Sequence, residues 1–217
     1  MPEGPEVWIL SKAINQYYKS EISKTMSIGK HLIVNDVNEN WSFGLTGKVS
    51  ITDCEKLIKL NTGWIYGDTT CFSDYSNVTD KLGLDWFTSS KEELEKEVNT
   101  WTKSKKKLAA LILDQSKICG IGVAWGSEIL FKAKLRPDKT ACNQPLNNLV
   151  EIMIEVRENI KIVYEKVLEK MENKEFLKQF INGWFENLYK IREMNVYKKG
   201  DKIKILGRNW WISTLTL

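Results

Sequence analysis

One histidine, His31, and four cysteines are all that this chain of 217 residues offers a soft or borderline metal ion. The cysteines, Cys54, Cys71, Cys119 and Cys142, are scattered, and no two form a C-x-x-C pair. A structural zinc site of four protein ligands has almost nothing to be built from, so no metal is expected. The same spacing fits reduced, mostly buried thiols better than a disulfide framework, which points to an intracellular compartment, nuclear or cytoplasmic. No signal peptide is recognisable and no apolar run is long enough to span a bilayer, so no membrane association is expected. Internal repeats and low-complexity segments are also missing. Charge is close to balanced: 32 basic against 28 acidic residues leave +4. That permits an anionic partner without demanding one, and the distribution of charge matters more than its sum.

What is present is ordinary for a globular protein. Hydrophobic residues make up 42% and charged residues 28%, and the length fits one large or two small domains with a substantial core. Nine tryptophans are enough to fill that core and leave some for stacking on flat partners. Residues 6–18 carry Val7, Leu10, Ile14 and Tyr17 at helical spacing, with Lys12 and Lys19 outside the stripe. From about 22 to 88 the texture changes to short β-like runs, at 31–34, 49–51 and 64–66, punctuated by Gly, Asn and Asp as in an antiparallel sandwich. Residues 91–98 read as a charged helix, and 105–190 as mostly helical, with apolar spacing over 108–113, 149–171 and 176–189. The tail from 196 returns to β character, with a hairpin whose turn is expected at Leu206-Gly207-Arg208-Asn209. The expected architecture is α+β: a β-sandwich domain with an amino-terminal helix over 1–90, a helical domain over 91–193 and a hairpin over 194–217.

Chemistry concentrates at the opening MPEGPEV, residues 1–7. Removal of Met1, which a small following residue permits, leaves Pro2 with a free secondary amine. An α-amino group titrates near pH ~7.7–8.0, so a useful fraction is an unprotonated nucleophile at neutral pH. Such an amine can attack a sugar aldehyde carbon and form an iminium, and Glu3 beside it can shuttle protons. Pro5 is placed to open a helix, with Glu3 and Glu6 at its positive end. On these seven residues alone, a plain helix cap is as good a reading.

MPEGPEV resembles the opening of the formamidopyrimidine-DNA glycosylase/endonuclease VIII family, in which the terminal proline is the nucleophile and the following glutamate transfers protons. Further segments resemble that family along the chain. IGKHL at 28–32 matches the G-K-x-L pattern whose lysine contacts a lesion-flanking phosphate, which assigns that role to Lys30. FGLTGK at 43–48 resembles the loop that inserts an apolar wedge into the duplex and places Leu45 on the wedge position; from the hexapeptide itself, a β-turn with a buried Leu is the better reading. YGDTTCF at 66–72 occupies the place of a second wedge segment, with Asp68 and Phe72 matching but Thr70 where an arginine would pair with the orphaned base. Residues 119–131 and 135–138 resemble the helix–two-turn–helix signature, with Gly120, Gly122, Glu128, Leu130, Phe131, Ala133 and Pro137 at family spacing and Val123 in place of an asparagine. A Gly-x-Gly turn at a helix amino terminus suits a phosphate, and Lys103, Lys105, Lys106 and Lys107 precede it; as a run, such lysines are more often a solvated face. Finally, VYKKG at 196–200 followed by Gly207 and Arg208 resembles the family's β-hairpin finger with its arginine. Most relatives hold that finger with four zinc-binding cysteines. No cysteine lies beyond Cys142, so this finger is expected to be short and zincless.

The chain is therefore identified as similar to a compact, zincless member of that family. The resemblance implies a monomeric glycosylase and AP lyase that acts on oxidised bases in double- or single-stranded damaged DNA, without metal or organic cofactor. Pro2, Glu3, Lys30 and Arg208 would carry the chemistry. Leu45, Phe72, Lys106, Gly120, Gly122 and Arg208 would hold the DNA. Thr70 and the reduced finger favour oxidised pyrimidines or hydantoins. Two rivals remain at this level: a catalytically weak or inactive DNA-binding relative, and an unrelated module whose basic hairpin binds RNA.

Overall fold

The computed structural model describes residues 3–18, 24–28, 31–35, 40–44, 71–72, 80–182, 188 and 193–213. The chain forms two compact units, Met1–Lys81 with Ile160–Arg192 and Leu82–Asn159 with Glu193–Leu217.

In the first unit, helix α1 spans Gly4–Tyr18, two residues longer at its start than the apolar spacing predicts. The reason lies in the cap. The carbonyl of Glu3 accepts from Val7 N–H at 3.2 Å, while Glu3 N–H donates to Glu6 Oε2 at 2.8 Å. A carboxylate that reaches back to the residue before the helix satisfies a donor the helix cannot, as in a capping box. Pro5 fits because an N–H in the first turn has no intrahelical partner to lose. Val7, Ile9, Leu10 and Ala13 are fully buried and Lys12 is exposed, a stripe of the expected period. The helix packs on strands β1 (Lys24–Ile28) and β2 (His31–Asn35). With β3 (Asn40–Gly44) and β4 (Cys71–Phe72) these form an antiparallel sheet in the order β1-β2-β3-β4. The register pairs Leu32, which is buried, with Phe43, and Ser42 with Phe72. The runs at 49–51 and 64–66, on which the remainder of the expected sandwich falls, lie outside the described residues.

The second unit opens with β5 (Leu84–Asp85), which pairs in parallel with β6 (Ile118–Cys119). Helix α2 (Lys91–Trp101) begins at a full capping box: Ser90 Oγ accepts from Glu93 N–H, and Glu93 accepts from Ser90 N–H. Helix α3 is short, Leu108–Ile112, and α4 spans Val123–Lys132. The long helix α5 spans Leu149–Glu169, and α6, in the first unit, spans Lys174–Asn182. Near the middle of α5, the side chain of Arg157 is buried and donates to the carbonyls of Trp86 at 3.1 Å and Ser89 at 2.6 Å. Those bonds tie down the turn that follows β5. Trp86, Trp101 and Trp210 are fully buried, each contributing about 1.5–3 kcal/mol or more through its apolar area.

The chain ends in a hairpin of β7 (Asp201–Ile205) and β8 (Arg208–Ile212). Its turn is two residues long, not four. Leu206 (φ 52°) and Gly207 (φ 74°) both adopt left-handed backbone, the pairing that matches the twist of the flanking strands, and glycine adopts it without a steric penalty. Arg208 and Asn209, expected in the turn, are already strand.

Candidate functional site

At the start of α1 the structure places two acidic side chains out of solvent. Glu3 is 5% exposed and Glu6 0%. Carboxylates are rarely buried unless hydrogen-bonded or functional. Glu6 fastens the Glu3 backbone, so the segment directly after Pro2 is pinned to the first turn of a buried helix. Pro2, Lys30 and Leu45 lie outside the described residues. Phe72 is in β4, opposite Ser42 of β3.

The second unit brings together the Gly-x-Gly turn and the hairpin, with α4 as the link. Gly120 has φ 90° and donates its N–H to Gln115 Oε1 at 3.0 Å. The same glutamine amide donates to the carbonyls of Ile121 at 3.0 Å and Leu113 at 3.1 Å, so one side chain braces the entire turn. The Gly120 N–H is therefore spent inside the protein and is not a ligand-facing donor. Gly122 is the N-cap of α4 and, as a glycine, brings no side chain of its own to that end. Val123, standing where the resemblance implies an asparagine, is the first residue of the helix.

Along α4 the residues facing the hairpin follow in sequence. At Gly126 an added Cβ would come within 3.3 Å of the Trp210 ring, tighter than most real contacts, so the absence of a side chain lets the indole lie against the helix. Ser127 Oγ accepts from Trp211 N–H at 3.4 Å. Glu128, 4% exposed, is the centre of the junction. Its Oε1 accepts from Val196 N–H and Tyr197 N–H, each at 2.7 Å. Its Oε2 accepts from Asn195 N–H at 2.8 Å and Asn195 Nδ2 at 3.1 Å. An ionised carboxylate is the one side chain with acceptors on both atoms and no donor, which is what four converging N–H groups require. The chain leaving this clamp enters the hairpin.

The register settles where Arg208 points. Residues paired across an antiparallel ladder share a face, as do alternate residues of a strand. Arg208 pairs with Ile205, and Ile203 with Trp210. Arg208 therefore lies on the hairpin's apolar face, with Ile205, Trp210 and Ile212, all buried. It is itself exposed, because it stands at the open end of that face. Lys202 and Lys204 share the other face with Asn209 and Trp211. Among the described residues Arg208 makes no ion pair.

Lys106 is exposed on the loop before α3. Its backbone is fixed at both ends: its N–H donates to Ser104 Oγ at 3.2 Å and its carbonyl accepts from Ala141 N–H at 3.0 Å. Nearby, the Ser116 hydroxyl at 2.6 Å from Asp114 is the main reason that carboxyl titrates below its ordinary value. Arg136 Nε and Nη2 grip Asp138 at 2.9 and 3.2 Å, which holds Asp138 below the usual aspartate range. Gln144 closes this loop, accepting from Arg136 N–H at 2.6 Å and donating to its carbonyl at 2.9 Å.

Sequence reasoning noted Glu128 only as a matching position and missed its task. No local signal marks it, since its four donors lie 67 to 69 residues away. Gln115 was missed for a different reason: it sits in a loop whose glycines attract the eye first.

Against known proteins, the formamidopyrimidine-DNA glycosylase H2TH domain model matches residues 82–174. Formamidopyrimidine-DNA glycosylase of Mycoplasma pneumoniae is 45% identical over 49 residues, 23% of this chain and 18% of that protein. Its counterpart from Lactobacillus johnsonii is 26% identical over 65 residues, 30% of this chain and 24% of that protein. The matched segments thus span less than a quarter of either relative's length. A crystal structure of Lactococcus lactis Fpg (MutM) in complex with DNA containing an oxidised pyrimidine covers 99% of both chains, with a TM-score of 0.63 at 15% identity. At that identity the likeness is one of fold.

Proposed function

Because the chain belongs to the formamidopyrimidine-DNA glycosylase/endonuclease VIII family, we propose that it is a DNA glycosylase and AP lyase that removes oxidised bases, pyrimidines or hydantoins before purines. The observation that carries this reading is the burial of Glu3 and Glu6 directly after Pro2. Glu6 makes the cap, which leaves the burial of Glu3 without that explanation, and Glu3 is next in sequence to Pro2.

With Met1 removed, the Pro2 nitrogen attacks the sugar C1′, and the C1′–N bond to the damaged base breaks as that base departs with a proton. Opening of the C1′–O4′ bond leaves an iminium, with Glu3 supplying the proton to O4′. Loss of a C2′ proton then expels the 3′ phosphate by β-elimination; hydrolysis of the conjugate frees Pro2. A second, δ-elimination from the conjugate, before that hydrolysis, would expel the 5′ phosphate. Lys30 and Arg208 hold phosphates beside the extruded nucleotide, and Leu45 with Phe72 fills the void it leaves. Lys106 and the amino terminus of α4, behind Gly120 and Gly122, seat the backbone. This scheme uses neither metal nor organic cofactor.

Borohydride trapping on an oligonucleotide with one abasic site tests it. A covalent adduct is expected, and peptide mapping should place it on Pro2. An amino-terminal extension that blocks the amine should abolish the adduct; undiminished trapping in that protein would remove Pro2 from the mechanism. Val123 at the head of α4 supports a second reading, a DNA-binding relative with weak or no turnover, for which no adduct forms although DNA binds.

A further inference from the structure

Of the large apolar side chains described, Leu206 is the most exposed, at 61%. It also holds a backbone conformation, φ 52°, that suits Asn, Asp or Gly and that a leucine rarely adopts. Either feature alone is unremarkable on a protein surface. Their coincidence in one residue, at the tip of a hairpin, is not explained by folding: the backbone opposes stability, the exposed side chain adds none, and an asparagine there would relieve the strain. Strain retained without structural return is a pointer to function. The support is stiff. Glu128 clamps the entry to the hairpin through four hydrogen bonds, and Trp210 packs against Gly126. The surroundings are cationic, with Lys204 and Arg208 exposed on either side of the turn and Gly207 bare beside it.

We propose that Leu206 is an apolar contact for a nucleobase face, laid against a base left unstacked next to the phosphate that Arg208 grips. The proposal rests on the reading of the protein as a DNA-processing enzyme and adds a substrate feature to it, an unpaired base within reach of the hairpin tip. A single leucine flanked by two cations matches that surface: flat apolar rings set in a row of phosphates. It does not match a protein partner, whose anchor would need a wider apolar patch around it. Cations bind any stretch of backbone, paired or not. Only the apolar tip needs an exposed ring, so Leu206 separates substrates by base exposure and Arg208 does not.

The test compares the parent with Leu206→Asn, which keeps the turn's preferred backbone, on two duplexes. One is fully paired; the other carries a central tetrahydrofuran abasic analogue opposite an unpaired 2-aminopurine. Leu206→Asn is expected to melt no lower than the parent, to bind the paired duplex unchanged, and to lose about tenfold in affinity for the unpaired one. The 2-aminopurine emission change on binding should shrink with it. Equal affinity of parent and variant for both duplexes, or equal weakening on both, overturns the proposal while leaving the enzyme reading intact. A concentration-dependent dimer that Leu206→Asn dissolves would assign the tip to a second copy and overturn it as well. A parent that binds neither duplex overturns the enzyme reading and the proposal together.

Discussion

Replacing Glu128 by glutamine exchanges one carboxylate oxygen for an NH2 group and leaves the side chain's size unchanged. The parent accepts four hydrogen bonds, two on each oxygen, at 2.7 to 3.1 Å. A glutamine has one acceptor atom. The remaining oxygen serves best at Val196 and Tyr197, which bond at 2.7 Å, so its NH2 would face Asn195. There the Asn195 amide can turn and offer its own oxygen, which recovers one contact, but Asn195 N–H meets another donor. The two surviving bonds and the one re-formed at Asn195 also lack an ionic partner. Hydrogen bonds to a charged group contribute about 1.5–3 kcal/mol, against about 0.5–1.5 kcal/mol for neutral ones, and a buried donor without a partner costs about 1–3 kcal/mol. After relaxation the net loss should be about 2–4 kcal/mol. For a chain of this size each kcal/mol shifts the melting temperature by roughly 2–4 °C, so a fall of about 4–16 °C is expected. Urea titration followed by tryptophan emission measures the free energy, with Trp210 and Trp211 as reporters inside the hairpin. Hydrogen exchange at the amides of Val196 and Tyr197 should accelerate more than elsewhere. A loss below about 0.5 kcal/mol with unaltered exchange at those two amides would refute the clamp, since that is the range of an ordinary surface change.

Arg208→Ala should lower turnover at least tenfold, about 1.4 kcal/mol of barrier, with the melting temperature held and the salt dependence of binding reduced by about one phosphate contact; unchanged turnover would make Arg208 a plain strand residue. Arg208→Lys should recover only part, because an ammonium cannot make the two parallel bonds of a guanidinium. Asp138 titrates below its unfolded value, so its bond to Arg136 stabilises fully above pH ~4 and is lost as the pH falls through the folded value. Asp138→Asn should therefore cost about 0.5–1 kcal/mol at pH 7 and progressively less as the pH falls through the folded value in matched denaturant titrations; a difference that does not shrink with falling pH would assign the effect to packing.

Much of the fold was legible because its signals are local. The stripe of Val7 and Leu10 marked α1, and Leu149 onward marked α5, because helical period shows in any window longer than two turns. The α1 boundary was misplaced by two residues because Glu6 caps backward onto Glu3, an interaction invisible to apolar spacing. The hairpin was recognised from its alternating residues, but its turn was read as four residues. Leu206 does not look like a turn residue, and only Gly207 advertised the left-handed backbone.

The sequence by itself determined which residue types the chemistry has to work with: a proline at position 2, acids at Glu3 and Glu6, glycines that allow tight turns, an arginine at 208. It determined local conformation wherever neighbours within four residues decide it, as at the Ser90–Glu93 capping box. Tertiary structure alone decided the rest. That Glu128 would gather N–H groups from residues 195 to 197 depends on two segments meeting across nearly seventy residues, and no local energy encodes that meeting. Which face Arg208 takes depends on the register of β7 against β8, where a slip of one residue would turn it over with the lysines. The pairing that forbids the slip comes from Trp210 and Ile205, buried together on the face that α4 covers.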